Sequence, residues 1–174
     1  MDQKEIFMKK LIILALMLTS CQSTFYVVRH AEKVDNSTNP PLSGLGTERA
    51  IDLKNLLLNK SITEIYSTNF IRTRTTAQPL AEARGVVTKI YATSPADSMR
   101  VFIEKLKQIR GKNVLVTGHS NTTKYVVNGL LERDTLRADI ADNDFDNLYI
   151  IKRQFFPVKK TRFFAKTYGK TSPQ

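Results

Sequence analysis

A chain of 174 residues, 41% hydrophobic and 25% charged, has material for one globular domain with a proper core and no room for two. With 27 lysines and arginines against 16 acids, the formal net charge is +11, which suits a protein that handles anions as well as it suits a solvated surface. No internal repeat or low-complexity tract is present, and a single cysteine rules out an internal disulfide.

Residues 1–20 stand apart from the rest. Met8-Lys9-Lys10 followed by Leu11 to Leu18 is a basic segment and then an apolar one, too short for the ~20 residues that span a bilayer. It ends in Leu18-Thr19-Ser20-Cys21, which resembles the lipobox of bacterial lipoproteins. Residues 1–20 are therefore expected to be a lipoprotein signal peptide and Cys21 the lipidated residue. Residues 21–174 would form one domain on the bacterial cell envelope, anchored at the periplasmic or surface face.

From Thr24 the run Phe25-Tyr26-Val27-Val28 is apolar, β-branched and aromatic, and it stops abruptly at Arg29-His30. Such a run predicts a buried strand, with its polar pair at the C-terminal end, where open α/β sheets gather ligands. Val34 to Pro41 reads as a loop because its Asn and Pro residues forbid a helix. Ser43 is a good N-cap, and Ala50, Leu53, Leu56 and Leu57 follow at helical spacing to about Asn59.

Ile62 to Ser67 predicts a second strand, leading into a helix from about Asn69 to Ala83 that stops at Gly85. Arg72 falls in the first turn of that helix, where its charge and the helix's positive end converge above the sheet. Arg74 belongs to a different face. Val86 to Ala92 predicts a third strand, Ala96 to Arg110 a helix, and Asn113 to Gly118 a fourth strand that ends at His119, the second of two histidines. A helix from about Asn121 to Leu131 follows. Alternation of this kind predicts a three-layer α/β/α fold with a mostly parallel sheet.

Arg133 to Asn147 is acidic, and Asp142-Asn143-Asp144-Phe145-Asp146 has the opening spacing of a calcium loop. Asn147 stands where that loop needs glycine and Arg153 where it needs glutamate, so an EF-hand is rejected. Leu148 to Arg153 and Thr161 to Tyr168 predict an edge hairpin. From Lys152 onward there are cations and no acid, a pattern that protects a sheet edge from pairing or attracts anionic lipid headgroups; the first explanation is preferred.

Arg29-His30-Ala31-Glu32-Lys33 resembles the signature of the histidine phosphatase superfamily, also called phosphoglycerate mutase-like. Three further segments resemble that family in the expected order: Pro40 to Ala50, Tyr66 to Ala77 with Arg72, and Gly118 to Thr122 with His119. The resemblance spans roughly residues 24 to 154. It implies a phosphoglycerate mutase-like fold and a metal-independent phosphoric monoester hydrolase without a cofactor. It also implies His30 as a nucleophile forming phosphohistidine, with Arg29, Arg72 and His119 binding the phosphoryl oxygens.

The chemistry of the residues fits those roles, since a neutral imidazole can attack phosphorus and neighbouring guanidiniums lower its pKa. A leaving-group acid is less plain. The family's better-known members place a carboxylate after the third strand, where this chain offers Asp97, with Glu104 and Glu32 as alternatives. Two histidines and a lipidated cysteine leave no transition-metal site. The expected partners are a phosphorylated substrate and a membrane, with no nucleic acid and no protein partner.

Three other readings compete for these residues. A serine hydrolase fails because Gly118-His119-Ser120-Asn121-Thr122 lacks the final glycine of a nucleophile elbow and no histidine follows Ser120. A mutase is disfavoured because the family's mutases are longer and close over their intermediate. A non-catalytic lipoprotein binding a phosphorylated ligand in the same basic pocket remains the alternative reading.

Overall fold

The computed structural model describes residue 5, residues 22–95 and residues 97–172. The signal-peptide reading and Cys21 lie outside the described residues. Six strands form one sheet: β1 (Gln22–Arg29), β2 (Ile62–Ser67), β3 (Thr88–Ile90), β4 (Asn113–Gly118), β5 (Asn147–Gln154) and β6 (Lys160–Thr167). Among residues 22–172 the described helices are α1 (Gly44–Leu57), α2 (Ile71–Arg84), α3 (Asp97–Gln108) and α4 (Ser120–Leu131), with a 3-10 turn at Leu58–Lys60. The strand order is β3-β2-β4-β1-β5-β6. β1, β2, β3 and β4 are parallel, while β5 runs antiparallel to β1 and β6 antiparallel to β5. The fold is therefore the mostly parallel α/β sheet that the alternation of elements predicts.

The alternation along β1 explains the layering, because successive side chains leave opposite faces of a strand. Phe25 and Val27 join Met99, Phe102, Leu106, Val126 and Leu130 under α3 and α4. Tyr26 and Val28 join Leu53, Leu57, Ala77 and Leu80 under α1 and α2. Both faces of the strand are thus buried, which is why its sequence is apolar without interruption. Each large apolar side chain fully removed from water contributes roughly 1.5–3 kcal/mol.

Helix boundaries follow local chemistry. Ser43 Oγ accepts the Gly46 N–H at 3.1 Å, capping α1. The first free N–H of α2 is satisfied across the chain instead, Ile71 N–H donating to Asn39 Oδ1 at 2.8 Å. α2 ends at Gly85, whose φ of 63° favours a residue without a Cβ.

Two expectations change. β1 begins at Gln22, two residues before Thr24, because Gln22 and Ser23 find partners in Gln154 and Arg153 of β5. β3 covers only Thr88–Ile90, since it pairs with β2 over three residues and has no neighbour beyond; Val87 is consequently exposed. Among the described residues, no helix is long and apolar enough to cross a membrane.

Candidate active site

Adjacent parallel strands carry the two histidines to the same place. Arg29 pairs with Gly118 across β1 and β4, and the His30 N–H donates to the Gly118 carbonyl at 2.8 Å. The His30 and His119 rings lie 5.4 Å apart, edge to face. Gly118 is required at this junction: a Cβ would stand 2.5 Å from Thr122 Oγ1 and 2.7 Å from the Tyr91 hydroxyl. The Thr122 hydroxyl instead accepts the His119 N–H at 2.7 Å, starting α4 directly after the histidine.

His30 is 3% exposed. Its Nδ1 lies 2.8 Å from the Ala31 carbonyl, an oxygen that only accepts, so Nδ1 carries the proton and Nε2 keeps its lone pair. Burial above all, together with Arg29, His119 and Arg72, lowers its pKa to about 3, against the opposing effect of the Ala31 carbonyl. The Ala31 N–H donates to Thr76 Oγ1 of α2 at 2.9 Å, which holds the loop behind the ring.

His119 has the reciprocal arrangement. Arg72 Nη2 donates to His119 Nδ1 at 3.3 Å, and a guanidinium has no acceptor. The neutral ring must then carry its proton on Nε2, directed to Thr68 Oγ1 at 3.0 Å. Thr68 passes the chain on to Thr73 Oγ1 at 2.9 Å. Burial, then Arg72 and Arg29, lower the His119 pKa to about 4. Both imidazoles are therefore neutral near pH 7.

The two arginines differ in what they have left to offer. Arg72 stands over the Phe70 ring at 4.7 Å, and its Nε and Nη1 are buried with no hydrogen-bond partner. Two nitrogens of one guanidinium thus keep unpaired N–H donors, of the kind that suits an oxyanion. Arg29 is largely engaged, donating through Nη1 to the carbonyls of Ala141 at 2.5 Å and Asp144 at 3.2 Å. Its Nη2 lies 3.4 Å from Asp142 Oδ1, and only Nε lacks a partner.

That acidic loop also sets Phe145 against the His30 ring, 6.0 Å between centroids, and under the Arg29 guanidinium at 4.6 Å. Sequence reasoning did not assign Phe145, Thr68 or Phe70 to the site. The one available signal for the loop was its charge, opposite to that of Arg29. Asp146 is committed to the framework, with Oδ2 accepting the Ser172 N–H at 2.9 Å.

A cavity of about 310 Å³ opens beside His119, lined by Arg72, Phe70, Thr93, Met99, Asn121 and Tyr125 among others. None of its lining residues is acidic. Asp97 is not brought to the histidines: it lines a different cavity with Tyr91 and Phe102, its side chain is 80% exposed, and it pairs with Arg100 at 3.4 Å. Glu104 pairs with Lys107 at 2.9 Å. Glu32 is held by Arg49, whose Nε reaches both carboxylate oxygens at 3.1 and 2.9 Å and whose Nη2 reaches Oε1 at 2.6 Å. Arg74, on its separate face, donates to Asn69 Oδ1 at 2.6 Å.

Gly46 explains how close that support lies. A Cβ there would fall 2.1 Å from the Glu32 carbonyl oxygen, so the start of α1 packs directly on the backbone two residues past His30. Among the described residues, no cluster of three His, Cys, Asp or Glu side chains is placed to hold a metal ion.

Comparison with known proteins agrees with this architecture. No curated protein sequence matches the chain significantly. Among solved structures, a mycobacterial glucosyl-3-phosphoglycerate phosphatase superposes with a TM-score of 0.66 at 13% identity, covering 85% of this chain and 100% of that one. That protein is also known in complexes with inorganic phosphate and with VO3. A phosphoserine phosphatase from Entamoeba histolytica, in complex with 3-phosphoglyceric acid, gives 0.57 at 15% identity, over 86% of this chain and 98% of that one. A structure from Agrobacterium tumefaciens assigned as a phosphohistidine phosphatase gives 0.59 at 17% identity, over 82% and 98%. At these identities the likeness is one of fold. Residues 25–93, which carry His30 and Arg72, match the family model of the histidine phosphatase superfamily (branch 1).

Proposed function

We propose that the chain is a phosphatase that works through a phosphohistidine on His30, without a metal. The observation that carries this reading is a neutral, buried His30 whose protonated Nδ1 leaves the Nε2 lone pair available, with its ring 5.4 Å from that of His119, on which Arg72 is seated. In the first step the Nε2 lone pair forms a bond to phosphorus as the bond to the leaving oxygen breaks. In the second, water attacks the phosphohistidine, phosphate departs, and the ring returns to its neutral form. Arg72, Arg29 and His119 would carry the negative charge spread over the phosphoryl oxygens.

The leaving oxygen needs a proton when its conjugate acid is weak, and each candidate carboxylate is paired with a cation elsewhere: Asp97 with Arg100, Glu104 with Lys107 and Glu32 with Arg49. The site therefore fits substrates whose leaving group departs with little help, such as aryl phosphates, phosphoramidates or anhydrides. The same feature favours the second reading, a pocket that binds a phosphorylated ligand without turning it over. An aryl phosphate assay with the purified protein separates the two. Turnover is expected, and it should persist after exhaustive chelation. Phosphate binding without turnover would support the second reading, while activity lost to EDTA and restored by added metal would overturn the metal-free mechanism.

The segment Leu11 to Cys21 supports a further part of the proposal, that Cys21 is lipidated and holds the domain at the cell envelope. Intact-mass analysis of the membrane fraction is expected to show a diacylglyceryl-modified Cys21 as the first residue. An unmodified chain that retains the leader would reject the assignment.

A further inference from the structure

The end of the sheet remote from the histidines has its own chemistry. β5 runs back along β1 so that Val28 pairs with Leu148 and Gln22 with Gln154. The β5–β6 connection, residues 155–159, therefore lies where the chain enters the sheet at Gln22. That point is about 25 Å from His30, at ~3.3 Å per strand residue.

A small cavity of about 190 Å³ opens there, lined by Arg153, Lys159, Lys160 and Phe155 and by one acid, Glu132, among others. The Arg153 side chain is 7% exposed, yet its Nη1 is buried with no hydrogen-bond partner. Its nearest acid is Glu132, 4.0 Å from Nη2 and 59% exposed, and that carboxylate is shared with Lys107 at 3.3 Å. A buried guanidinium N–H without an acceptor is costly, and the acceptor that suits it is an oxyanion. Arg110 adds charge at the same end, stacked on the Phe155 ring at 3.6 Å.

Cations on an exposed edge strand need no ligand, since they protect the edge. Two observations go beyond that explanation. One is the buried, unpaired Arg153 donor. The other is the loop itself, which presents Phe156 at 51% and Val158 at 68% exposure immediately beside Lys159 and Lys160. An oxyanion receptor flanked by protruding apolar side chains matches the interface of an anionic bilayer, where phosphates lie just above the acyl boundary.

We propose that the β5–β6 tip docks on an anionic phospholipid surface. Arg153, Lys159 and Lys160 receive headgroup phosphate while Phe156 and Val158 enter the headgroup–acyl boundary. Docked this way, the molecule points its histidine pole away from the bilayer. The apolar segment Leu11 to Leu18 leads into Gln22 at the docked end. The inference does not depend on the phosphatase reading.

The chain contains no tryptophan, so F156W supplies a single fluorescent reporter. The full-length variant is mixed with vesicles of brominated phosphatidylcholine, with or without brominated phosphatidylglycerol. Its emission is expected to shift to the blue and to be quenched several-fold more on the anionic vesicles. L45W places the reporter near the histidine pole, at an exposed site, and should stay unquenched. Adding R153Q, K159Q and K160Q to F156W should remove the anionic preference. Should R153Q fail to fold, the K159Q/K160Q pair, which alters only exposed side chains, should still lose about half of it. Equal quenching on both compositions, full retention in the charge variants, or quenching of L45W would overturn the proposal. So would loss of the anionic response on adding millimolar glycerol phosphate, which would identify a soluble anion as the occupant.

Discussion

Replacement of His30 by alanine is expected to abolish both turnover and the covalent intermediate. The two-step path has no other first acceptor in the right state. His119 lies 5.4 Å away by ring centroid, but its Nδ1 accepts from Arg72 and its Nε2 hydrogen is directed to Thr68. Only His30 combines a committed Nδ1 with an unengaged Nε2. Its low pKa, about 3 from burial and the neighbouring cations, keeps that lone pair available throughout the neutral range before substrate arrives. The His119→Ala change should instead cost roughly 10²- to 10³-fold in turnover, the scale of losing one preorganised charge-stabilising group. Rapid quench with labelled substrate, followed by peptide mapping in alkali, would locate the phosphoryl group. Label on the peptide containing His119, or undiminished activity after the His30 change, would reverse the two roles.

The sequence carried the placement of both histidines because each terminates an apolar run, and strands with two buried faces have no other way to end so abruptly. Arg72 was legible for a related reason. It falls in the first turn of a helix entered directly from a strand, which fixes its direction before any tertiary contact is considered. The engagement of Arg29 was not legible. It depends on carbonyls of Ala141 and Asp144, more than a hundred residues away along the chain, and backbone carbonyls leave no mark on composition. The acidic residues around them have the opening spacing of a calcium loop that Asn147 and Arg153 rule out, and beyond a charge opposite to that of Arg29 they name no neighbour.

Carboxylates were the hardest to place. Glu32 is two residues from His30, yet the orientation of α1 gives it to Arg49. Asp97 follows the third strand in sequence, but β3 ends at Ile90 and the connection carries the start of α3 to another cavity. Position relative to a strand predicts a side chain's neighbourhood only when the connection is short. Six residues separate β3 from α3 here, enough to take the carboxylate out of reach.

Arg72→Ala is expected to lower kcat/KM by roughly 10³-fold, because one side chain serves two functions at once. In the proposed mechanism its unpaired Nε and Nη1 donate to the phosphoryl oxygens, and its Nη2 fixes the tautomer of His119. Arg72→Lys should recover little of the loss, since an ammonium offers a point charge and no planar pair of donors. Arg74→Ala, at a residue exposed and bonded to Asn69, should remain within about twofold of the parent, as surface changes usually do. A loss caused only by unfolding would lower the melting temperature in step with activity. The assigned role predicts something else as well. Arg72 is one cause of the depressed His119 pKa, so its removal should raise the titration midpoint of that ring, measured by NMR on the His119 resonances. An unchanged midpoint in a folded Arg72→Ala protein would show that the guanidinium does not face His119, and the proposed phosphate site built on that geometry would fall with it.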